Sequence, residues 1–383
     1  MRARAQFIRT DIAMSQRAEF DPERLRWELI EKPRDEAEPW ATDALPGLPK
    51  GCTFVREPLF RRGFPWMLVC EPLDGRIPDP PLDAFPLEGV RFRHCGPASV
   101  ELLRTVPWAA KLLTVEFERG NTAPINVDRL FPFVGLHSLR RLSFLQDAII
   151  APEARMLPAS HLFRRLHALT IRGAPVGTAI LEAILRDGGT NVLGELHLVA
   201  CRVPENPLAE VLDSPATAYL ETLTLSGDGL GMPQKFRAFG RVANAPPLRS
   251  LDIRDESPGE TGIGFFLGSP IPGGLQRLDL SRSSLNRARV QALAGGEFDN
   301  LRVLRLYGNS VGNEGAAALA HSPRLAGLLV LNLGYCMVGD EGILAILESP
   351  LADGLVFLDL TGSPASAETK ELLKARMGDR VRL

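Results

Sequence analysis

Apolar residues recur along most of this chain with a period near 27 residues. Each period opens with a leucine, and the residues three and five positions later are also apolar, as in Leu301, Leu304 and Leu306. Apolar positions that alternate with other residues are typical of a short strand with one buried face. We call the opening leucine the anchor of its repeat and count positions from it. The anchors, 25 to 28 residues apart, are Leu87, Leu112, Leu139, Leu166, Leu193, Leu220, Leu248, Leu275, Leu301, Leu328 and Leu355.

The second half of the clearest repeats predicts a helix. Ile343, Ile346 and Leu347 are spaced three and four residues apart, as on one face of a helix, and Asp340 is placed to cap it. One strand and one helix cannot bury their apolar faces alone, whereas stacked copies can. The pattern therefore predicts an α/β solenoid, with strands joined into a parallel sheet on the inside of a curve and helices or loops outside.

Position eight supports a resemblance to a known family. It holds Cys95, Cys201, Asn309 and Cys336 in four repeats, which completes the pattern LxxLxLxxN/C. This pattern resembles the leucine-rich repeats, and the phrase GNSVGNEGAAALA is similar to their ribonuclease-inhibitor type. The resemblance implies a leucine-rich-repeat solenoid of about 11 repeats over residues 87–364.

The two ends of the chain have a different composition and are expected to cap the solenoid. Residues 1–86 are proline-rich, with a helix start at Asp21-Pro22 and a strand over Phe60 to Glu71 that could pair with the first repeat. The phrases RARAQFIRTDIAMSQ, LRWELIEKPRDEAEPW and LFRRGFPWMLV resemble the later part of the bacterial repeat-companion domain. The tyrosine-alanine-aspartate-tryptophan stretch usual upstream in that domain is absent here, so we expect a truncated or shortened version.

Residues 365–383 are expected to shield the last repeat. The stretch from Ser366 to Met377 predicts an amphipathic helix with Leu372 and Leu373 facing inward, and Gly378 as its stop. The last five residues are expected to form a short strand or tail. Solenoids need such terminal segments to cover their final apolar face.

Composition excludes several classes of function. The 44 basic and 46 acidic residues give a formal net charge of −2, which argues against nucleic-acid binding. There is no apolar run long enough to span a membrane and no secretory signal, so a cytoplasmic protein, expected to be a monomer, is predicted. The five cysteines form no CxxC pair, and the six histidines show no ligand spacing. No metal or cofactor is expected.

Two glycine motifs suggest chemistry that the repeat itself explains better. Gly308 to Gly312 matches the GxSxG elbow of serine hydrolases, with Ser310 as nucleophile, but the next repeat carries Met337 at the same position. The stretch GDGLG at 227–231 lacks the lysine of a phosphate-binding loop. Both are interpreted as turns between strand and helix. His197 is expected to be an unpaired histidine on the concave face.

The predicted concave face is the remaining candidate site, because positions two, four and six point away from the core. Asp252 and Asp279 should face each other across neighbouring strands about 4.8 Å apart, with Arg254 and Arg277 near enough to neutralise them. We therefore predict a non-enzymatic protein-interaction module, with a regulator of an enzyme, a serine hydrolase using Ser310, or a scaffold without a tight ligand as alternatives. The candidate partner-binding residues are Asp252, Arg254, Asp279, Arg305, Tyr307, Asn332, Tyr335 and Asp359.

Overall fold

A computed structural model describes most of the repeats and parts of the chain before them. The described residues are 52–54, 60–61, 64–65, 67–70, 88–95, 103, 106–119, 135–187, 192–229 and 233–383. They fall into two compact units, one ending at Leu193 and the other spanning Gly194–Leu383. The predicted helix at Asp21, most of the companion-like segment and the first anchor, Leu87, lie outside the described residues.

The first unit contains a mostly parallel sheet. Strand β4 pairs in parallel with β5, the strand of the first repeat, as the sequence suggested for the segment from Phe60, although that segment is divided into three short strands. β1 adds to β4 in the antiparallel direction, and β5 to β8 follow in chain order. The strands are β1 (Cys52–Phe54), β2 (Phe60–Arg61), β3 (Phe64–Pro65), β4 (Met67–Cys70), β5 (Gly89–Cys95), β6 (Thr114–Arg119), β7 (Arg141–Leu145) and β8 (Ala168–Arg172).

Aromatic side chains at position five form the spine of this unit. Phe92, Phe117 and Phe144 are fully buried and stack with ring centroids 5.7 and 5.9 Å apart. The layer outside the sheet is irregular, as the sequence indicated. It consists of 3₁₀ helices at Pro107–Lys111, Leu157–Ala159 and Phe163–Arg165, with α1 (Ala151–Met156) and α2 (Gly177–Asp187).

The second unit repeats strand and helix more regularly. All of its paired strands are parallel, in chain order from β9 to β16. The strands are β9 (Glu195–Val199), β10 (Thr222–Thr224), β11 (Ser250–Asp252), β12 (Arg277–Asp279), β13 (Val303–Arg305), β14 (Val330–Asn332), β15 (Phe357–Asp359) and β16 (Val381–Arg382). The helices are α3 (Glu205–Leu212), α4 (Gln234–Phe239), α5 (Gly262–Leu267), α6 (Ile271–Gly274), α7 (Arg287–Ala294), α8 (Gly312–Ala320), α9 (Asp340–Leu347), α10 (Leu351–Gly354) and α11 (Ala367–Met377).

The core of the second unit follows the periodic pattern. Leucines at positions zero, three and five are buried, for example Leu275, Leu278 and Leu280 at 1% exposure or less. Ile343 and Ile346 on α9 are fully buried against this layer, as predicted. The α/β leucine-rich-repeat solenoid architecture predicted from the sequence is therefore confirmed.

Position seven adopts a left-handed backbone conformation in both units, in every repeat except the one in which Arg119 occupies it. Glycine occupies it at Gly308 and Gly362, but Arg282 and Tyr335 take the same conformation with φ of 52° and 53°. The turn allows the amide of position seven to donate to the carbonyl of position six in the next repeat, as Tyr335 does to Thr361 at 2.7 Å. The ladder of hydrogen bonds therefore continues beyond the strands.

Position eight joins neighbouring repeats from inside this turn. The Asn309 carbonyl oxygen accepts hydrogen bonds from the amides of Ser283 and Leu285, at 3.0 and 2.9 Å. Its NH₂ group donates to the carbonyls of Leu280 and Leu306, both at 2.8 Å. Asn309 is 4% exposed, so it satisfies four backbone groups that water does not reach.

Cysteine performs part of the same task in the next repeat. The Cys336 thiol donates to the carbonyl of Leu306 at 2.9 Å. Burial raises the pKa of this thiol to about 11, so the reactive thiolate is scarce at neutral pH. Cys336 is therefore a core residue of low reactivity.

Two details at the C-terminal end correct the sequence analysis. On α11, Leu373 is fully buried but Leu372 is 50% exposed. The buried face of this helix consists of Thr369, Leu373 and Met377. Asp340 does not cap α9, which begins at that residue; its carboxylate instead accepts from the amide of Ser366 at 2.8 Å. The aspartate thus joins α9 to the cap rather than ending its own helix.

The four hydrogen bonds of Asn309 can be tested by replacement. Asn309→Ala leaves buried amides and carbonyls without partners, and we expect it to lower the free energy of unfolding by at least about 3 kcal/mol. Asn309→Cys should cost less, because a thiol in that position can still donate to a carbonyl, as Cys336 does. Urea unfolding followed by circular dichroism measures both; equal losses would contradict the assignment.

Candidate protein-interaction site

The position-four side chains of the second unit form a row across neighbouring strands. Register pairs Asp252 with Asp279, as predicted, and continues through each later strand. The row ends on β16 at Arg382, which the sequence analysis left in an unassigned tail. We call this row, together with the position-six residues beside it, the polar face. The row consists of Asp252, Asp279, Arg305, Asn332, Asp359 and Arg382.

Four members of the row have a structural role. In each, a side-chain oxygen accepts the backbone amide two residues later and closes a small turn at the end of the strand. The distances are 3.1 Å from Asp252 to Arg254, 2.9 Å from Asp279 to Ser281, 3.0 Å from Asn332 to Gly334 and 2.9 Å from Asp359 to Thr361. Aspartate or asparagine at position four is thus explained by the fold.

Arg305 breaks that pattern. It occupies position four of β13 between Asp279 and Asn332, and a guanidinium cannot accept an amide hydrogen. The Arg305 side chain is half-buried, and its guanidinium makes no hydrogen bond or ion pair with another of the described residues. An arginine that gives up the turn, and whose side chain gains no partner within the described part of the chain, is not explained by the fold of that part.

The two neighbouring aspartates differ in their environment. The Arg254 guanidinium lies 2.8 Å from the Asp252 carboxylate, so one of the two predicted neutralising arginines is in place. Burial, and next the charge of Asp279, nevertheless raise the pKa of Asp252. The folded chain therefore holds Asp252 in a site that disfavours its ionised form.

Asp359 is less available to a partner than the sequence indicated. It is 5% exposed, it accepts from the side-chain amide of Asn332 at 3.3 Å, and Arg382 lies 3.7 Å away. Beside it at position two, Val303, Val330 and Phe357 form a buried apolar cluster. Within the last repeats, the accessible part of the polar face therefore begins beyond the strand, at positions six and seven.

Tyr307 and Tyr335 occupy positions six and seven at the edge of the polar face, and their rings contact each other. We call this part of the surface the aromatic edge. Their ring centroids are 5.4 Å apart at an interplanar angle of 69°. Each ring rests where the next repeat has glycine: a Cβ on Gly334 would come within 3.0 Å of the Tyr307 ring, and one on Gly362 within 2.8 Å of the Tyr335 ring. The two glycines therefore create the space that holds the two rings.

An exposed methionine extends the aromatic pair. Met337 is 59% exposed and Tyr335 is 56% exposed, and both have left-handed φ, of 56° and 53°. That conformation costs a residue with a side chain roughly 1 kcal/mol or more, which exposed apolar groups do not recover by burial. The sequence analysis used Met337 only to argue against Ser310. The missed signal was a large apolar residue in a turn that is otherwise small or polar.

Two other candidates lie in ordinary repeat environments. The Ser310 amide donates to the carbonyl of Leu285 at 2.8 Å, and within residues 233–383 its hydroxyl has no hydrogen bond to a histidine. His197 is not unpaired, contrary to the expectation, because its Nδ1 lies 2.8 Å from the hydroxyl of Thr224. Neither residue is part of a convergent catalytic set.

Known proteins resemble parts of this chain. Residues 300–320 and 328–347 match the model of the leucine-rich repeat family. These two segments are leucine-rich repeats. No curated protein sequence matches it significantly. Among solved structures, the crystal structure of the Rad7 and Elc1 complex in yeast contains a similar chain, at 15% identity, a TM-score of 0.48, and 78% coverage of this chain and 80% of that one.

The leucine-rich repeats also explain the GDGLG stretch. Asp228 and Glu256 stand at position eight of their repeats, where Asn309 stands in its own. Asp228 accepts the amides of Arg202 and Val203, both at 2.7 Å, and Glu256 accepts the amide of Asp228 at 2.7 Å. These carboxylates therefore accept hydrogen bonds from backbone amides, as the Asn309 carbonyl oxygen does. Unlike Asn309, they have no NH₂ group that could donate to a carbonyl.

Lys235 provides the missing donor. Its ammonium group lies 2.6 Å from the Glu256 carboxylate, 2.9 Å from that of Asp228 and 2.8 Å from the carbonyl of Leu225, and the side chain is 3% exposed. Burial raises the pKa of Glu256 even though Lys235 opposes the shift. Asp228 of the glycine-rich stretch thus belongs to an internal ion cluster, which accounts for this residue without a phosphate ligand.

The described part of the chain lacks two further kinds of site. It contains no group of three or more histidine, cysteine, aspartate or glutamate side chains arranged to hold a metal. None of its helices is both long and apolar enough to cross a membrane. The polar face and its aromatic edge are therefore the candidate site that we develop.

If Lys235 stabilises the fold by neutralising the two carboxylates, then removing their charges should compensate for its loss. Lys235→Met leaves two buried carboxylates without a counter-ion, and we expect a loss of about 3–5 kcal/mol in the free energy of unfolding. Adding Asp228→Asn and Glu256→Gln should recover most of that loss. The two new side chains carry no charge, and their NH₂ groups replace the donor that Lys235 supplied. Urea unfolding of the single and triple variants measures the difference. A triple variant no more stable than the single one would show that the charges are not the cause.

The raised pKa of Asp252 predicts the sign of a pH effect. A group whose folded pKa is raised contributes its stability below the unfolded pKa and loses it as the pH rises through the folded value. Asp252→Asn, which can still accept the Arg254 amide, should therefore raise the free energy of unfolding at about pH 7 and change it little at about pH 3. Denaturant unfolding at the two pH values is the measurement.

Asp340 offers a control of opposite sign. The hydrogen bond from the Ser366 amide is the main cause that lowers its pKa, so its contribution is present above the unfolded pKa and is lost as the pH falls. Asp340→Asn should therefore reduce stability at neutral pH and have little effect in acid. Parallel behaviour of the two variants would contradict both assignments.

Proposed function

We propose that the chain is a non-enzymatic module that binds a protein partner over the polar face of its second unit, centred on Arg305, Tyr307 and Tyr335. The observation that carries the proposal is Arg305, which interrupts a row of turn-forming aspartate and asparagine while its side chain gains no partner among the described residues. Half-buried arginine and tyrosine side chains are frequent anchors of protein interfaces, because they combine apolar contact area with hydrogen-bond donors.

The remaining predicted residues support these three. Asp252 and Arg254 neutralise each other, and Asp359 uses its carboxylate inside the fold. Asp279 lies beside Arg305 and keeps one oxygen for a partner after accepting the Ser281 amide. The unit thus offers a neighbouring acid and base flanked by tyrosine. A partner with a base opposite Asp279 and an acid opposite Arg305 would complement it.

Arg305→Asn separates partner binding from folding. Asparagine at position four should close the turn that Asp279 and Asn332 close, so stability should stay the same or rise by about 0.5–1 kcal/mol. Partner capture should nevertheless fall at least tenfold, because the anchor is gone. The mirror variant, Asn332→Arg, should lose the turn and some stability without creating a second site.

The partner can be captured by crosslinking in the native cell. A photoreactive benzoylphenylalanine in place of Tyr307 should crosslink one discrete protein, and mass spectrometry identifies it. The matched control is the same replacement at Tyr219, which is 64% exposed elsewhere on the second unit. We expect the Tyr307 product to disappear in the Arg305→Asn background. If it persists there, or forms equally from position 219, the polar face is not the binding surface.

A further inference from the structure

The aromatic edge of the polar face indicates what kind of segment it binds. We infer that Tyr307, Tyr335 and Met337 form a preformed site for an uncharged, proline-rich segment of the partner in the polyproline II conformation. This inference rests on the proposed function and specifies the chemistry of its partner. It is carried by the exposed side chains of the edge, the packing of the rings and the polar groups that surround them.

The exposed side chains distinguish this edge from the same turn in other repeats. Tyr335 takes a left-handed conformation that the preceding and following repeats assign to Gly308 and Gly362, and Met337 takes the same conformation two residues later. Arg282 and Ser284 show that the repeat itself allows these conformations. What is particular to this repeat is that the two positions carry large apolar side chains that remain more than half exposed.

The rings are fixed before any partner arrives. Tyr335 packs edge-on against Tyr307, and Gly334 and Gly362 leave room for the two rings on the adjoining repeats. Rigid aromatic side chains present contact area at little entropic cost on binding. Two inclined rings form an uneven apolar surface of the kind on which proline rings pack. The exposed Met337 follows two residues after Tyr335.

The polar groups around the rings are mainly hydrogen-bond donors. Arg282 is held by two hydrogen bonds to Asp255, at 2.6 and 2.8 Å, and is therefore neutralised. Among the described residues, neither tyrosine hydroxyl has a hydrogen-bond partner, and Arg305 on the adjacent strand position adds further donors. The edge is thus rich in donors.

A polyproline II segment supplies hydrogen-bond acceptors, which a donor-rich edge lacks. It makes no internal hydrogen bonds, its proline residues have no amide hydrogen, and all of its carbonyl oxygens can accept. Its rings pack on aromatic side chains, as in other domains that recognise this conformation. An acidic peptide would use Arg305 but not the apolar rings, and a basic peptide would approach Arg305 unfavourably.

Peptide binding to the full chain tests this chemistry directly. Fluorescein-labelled decaproline is titrated with the protein and followed by fluorescence polarisation, beside decamers of alternating glycine and serine, of glutamate and of lysine. We expect decaproline to bind at least tenfold more tightly than each of the other three. Equal or weaker binding of decaproline, or preference for a charged decamer, would overturn the inference.

Variants locate the binding on the edge. Tyr335→Ala should weaken decaproline binding at least tenfold, whereas Tyr219→Ala, at an exposed tyrosine elsewhere, should not change it. Gly334→Ala should also weaken binding, since its methyl group displaces the Tyr307 ring without removing any contact atom. Circular dichroism checks that each variant folds. Unchanged binding by a folded Tyr335→Ala variant would refute the assignment.

The two proposals can fail separately. If Arg305→Asn abolishes the Tyr307 crosslink but decaproline does not bind, the polar face is an interaction surface and the inferred chemistry is wrong. If decaproline binds through Tyr335 while the crosslink survives Arg305→Asn, the edge has the inferred chemistry and the central role of Arg305 is wrong.

Discussion

The structure depends on satisfying the backbone where each strand turns toward its helix. The chain there passes beneath the surface, and amides and carbonyls of neighbouring repeats must find partners without water. Asn309 does this with one side chain that both accepts and donates. Because these bonds cross from one repeat to the next, they also set the spacing at which strands stack.

Different repeats solve this problem with different chemistry. Cys336 offers a single donor, while Asp228 and Glu256 offer acceptors only and require Lys235 to complete them. The charges of a buried ion cluster depend on one another. Removing one member leaves the others buried without a counter-ion, which costs free energy. The variation shows that the fold constrains the hydrogen bonds at position eight rather than the residue type.

The same reasoning separates structural residues from those free for binding. Position four of the strand needs an acceptor for the amide of position six, so aspartate and asparagine recur there without any partner being involved. Arg305 stands out only once that requirement is known. Tyr335 and Met337 stand out in the same way, because the left-handed positions of the turn otherwise carry small or polar residues. Function is therefore argued from departures from the repeat.

The sequence alone determined the repeat period, the buried positions and the solenoid fold, because burial of a one-sided strand leaves a periodic pattern that needs no tertiary information. It also placed Asp252 opposite Asp279, since equal spacing implies register. Only the tertiary structure decided that Leu372 faces outward, that Asp340 binds the Ser366 amide, and that Asp359 is enclosed. These depend on contacts between residues about 25 positions apart, where a side chain's partner belongs to another repeat. The pairing of each tyrosine with a glycine in the next repeat has the same origin: neither residue is unusual by itself, and the site exists only where two repeats meet.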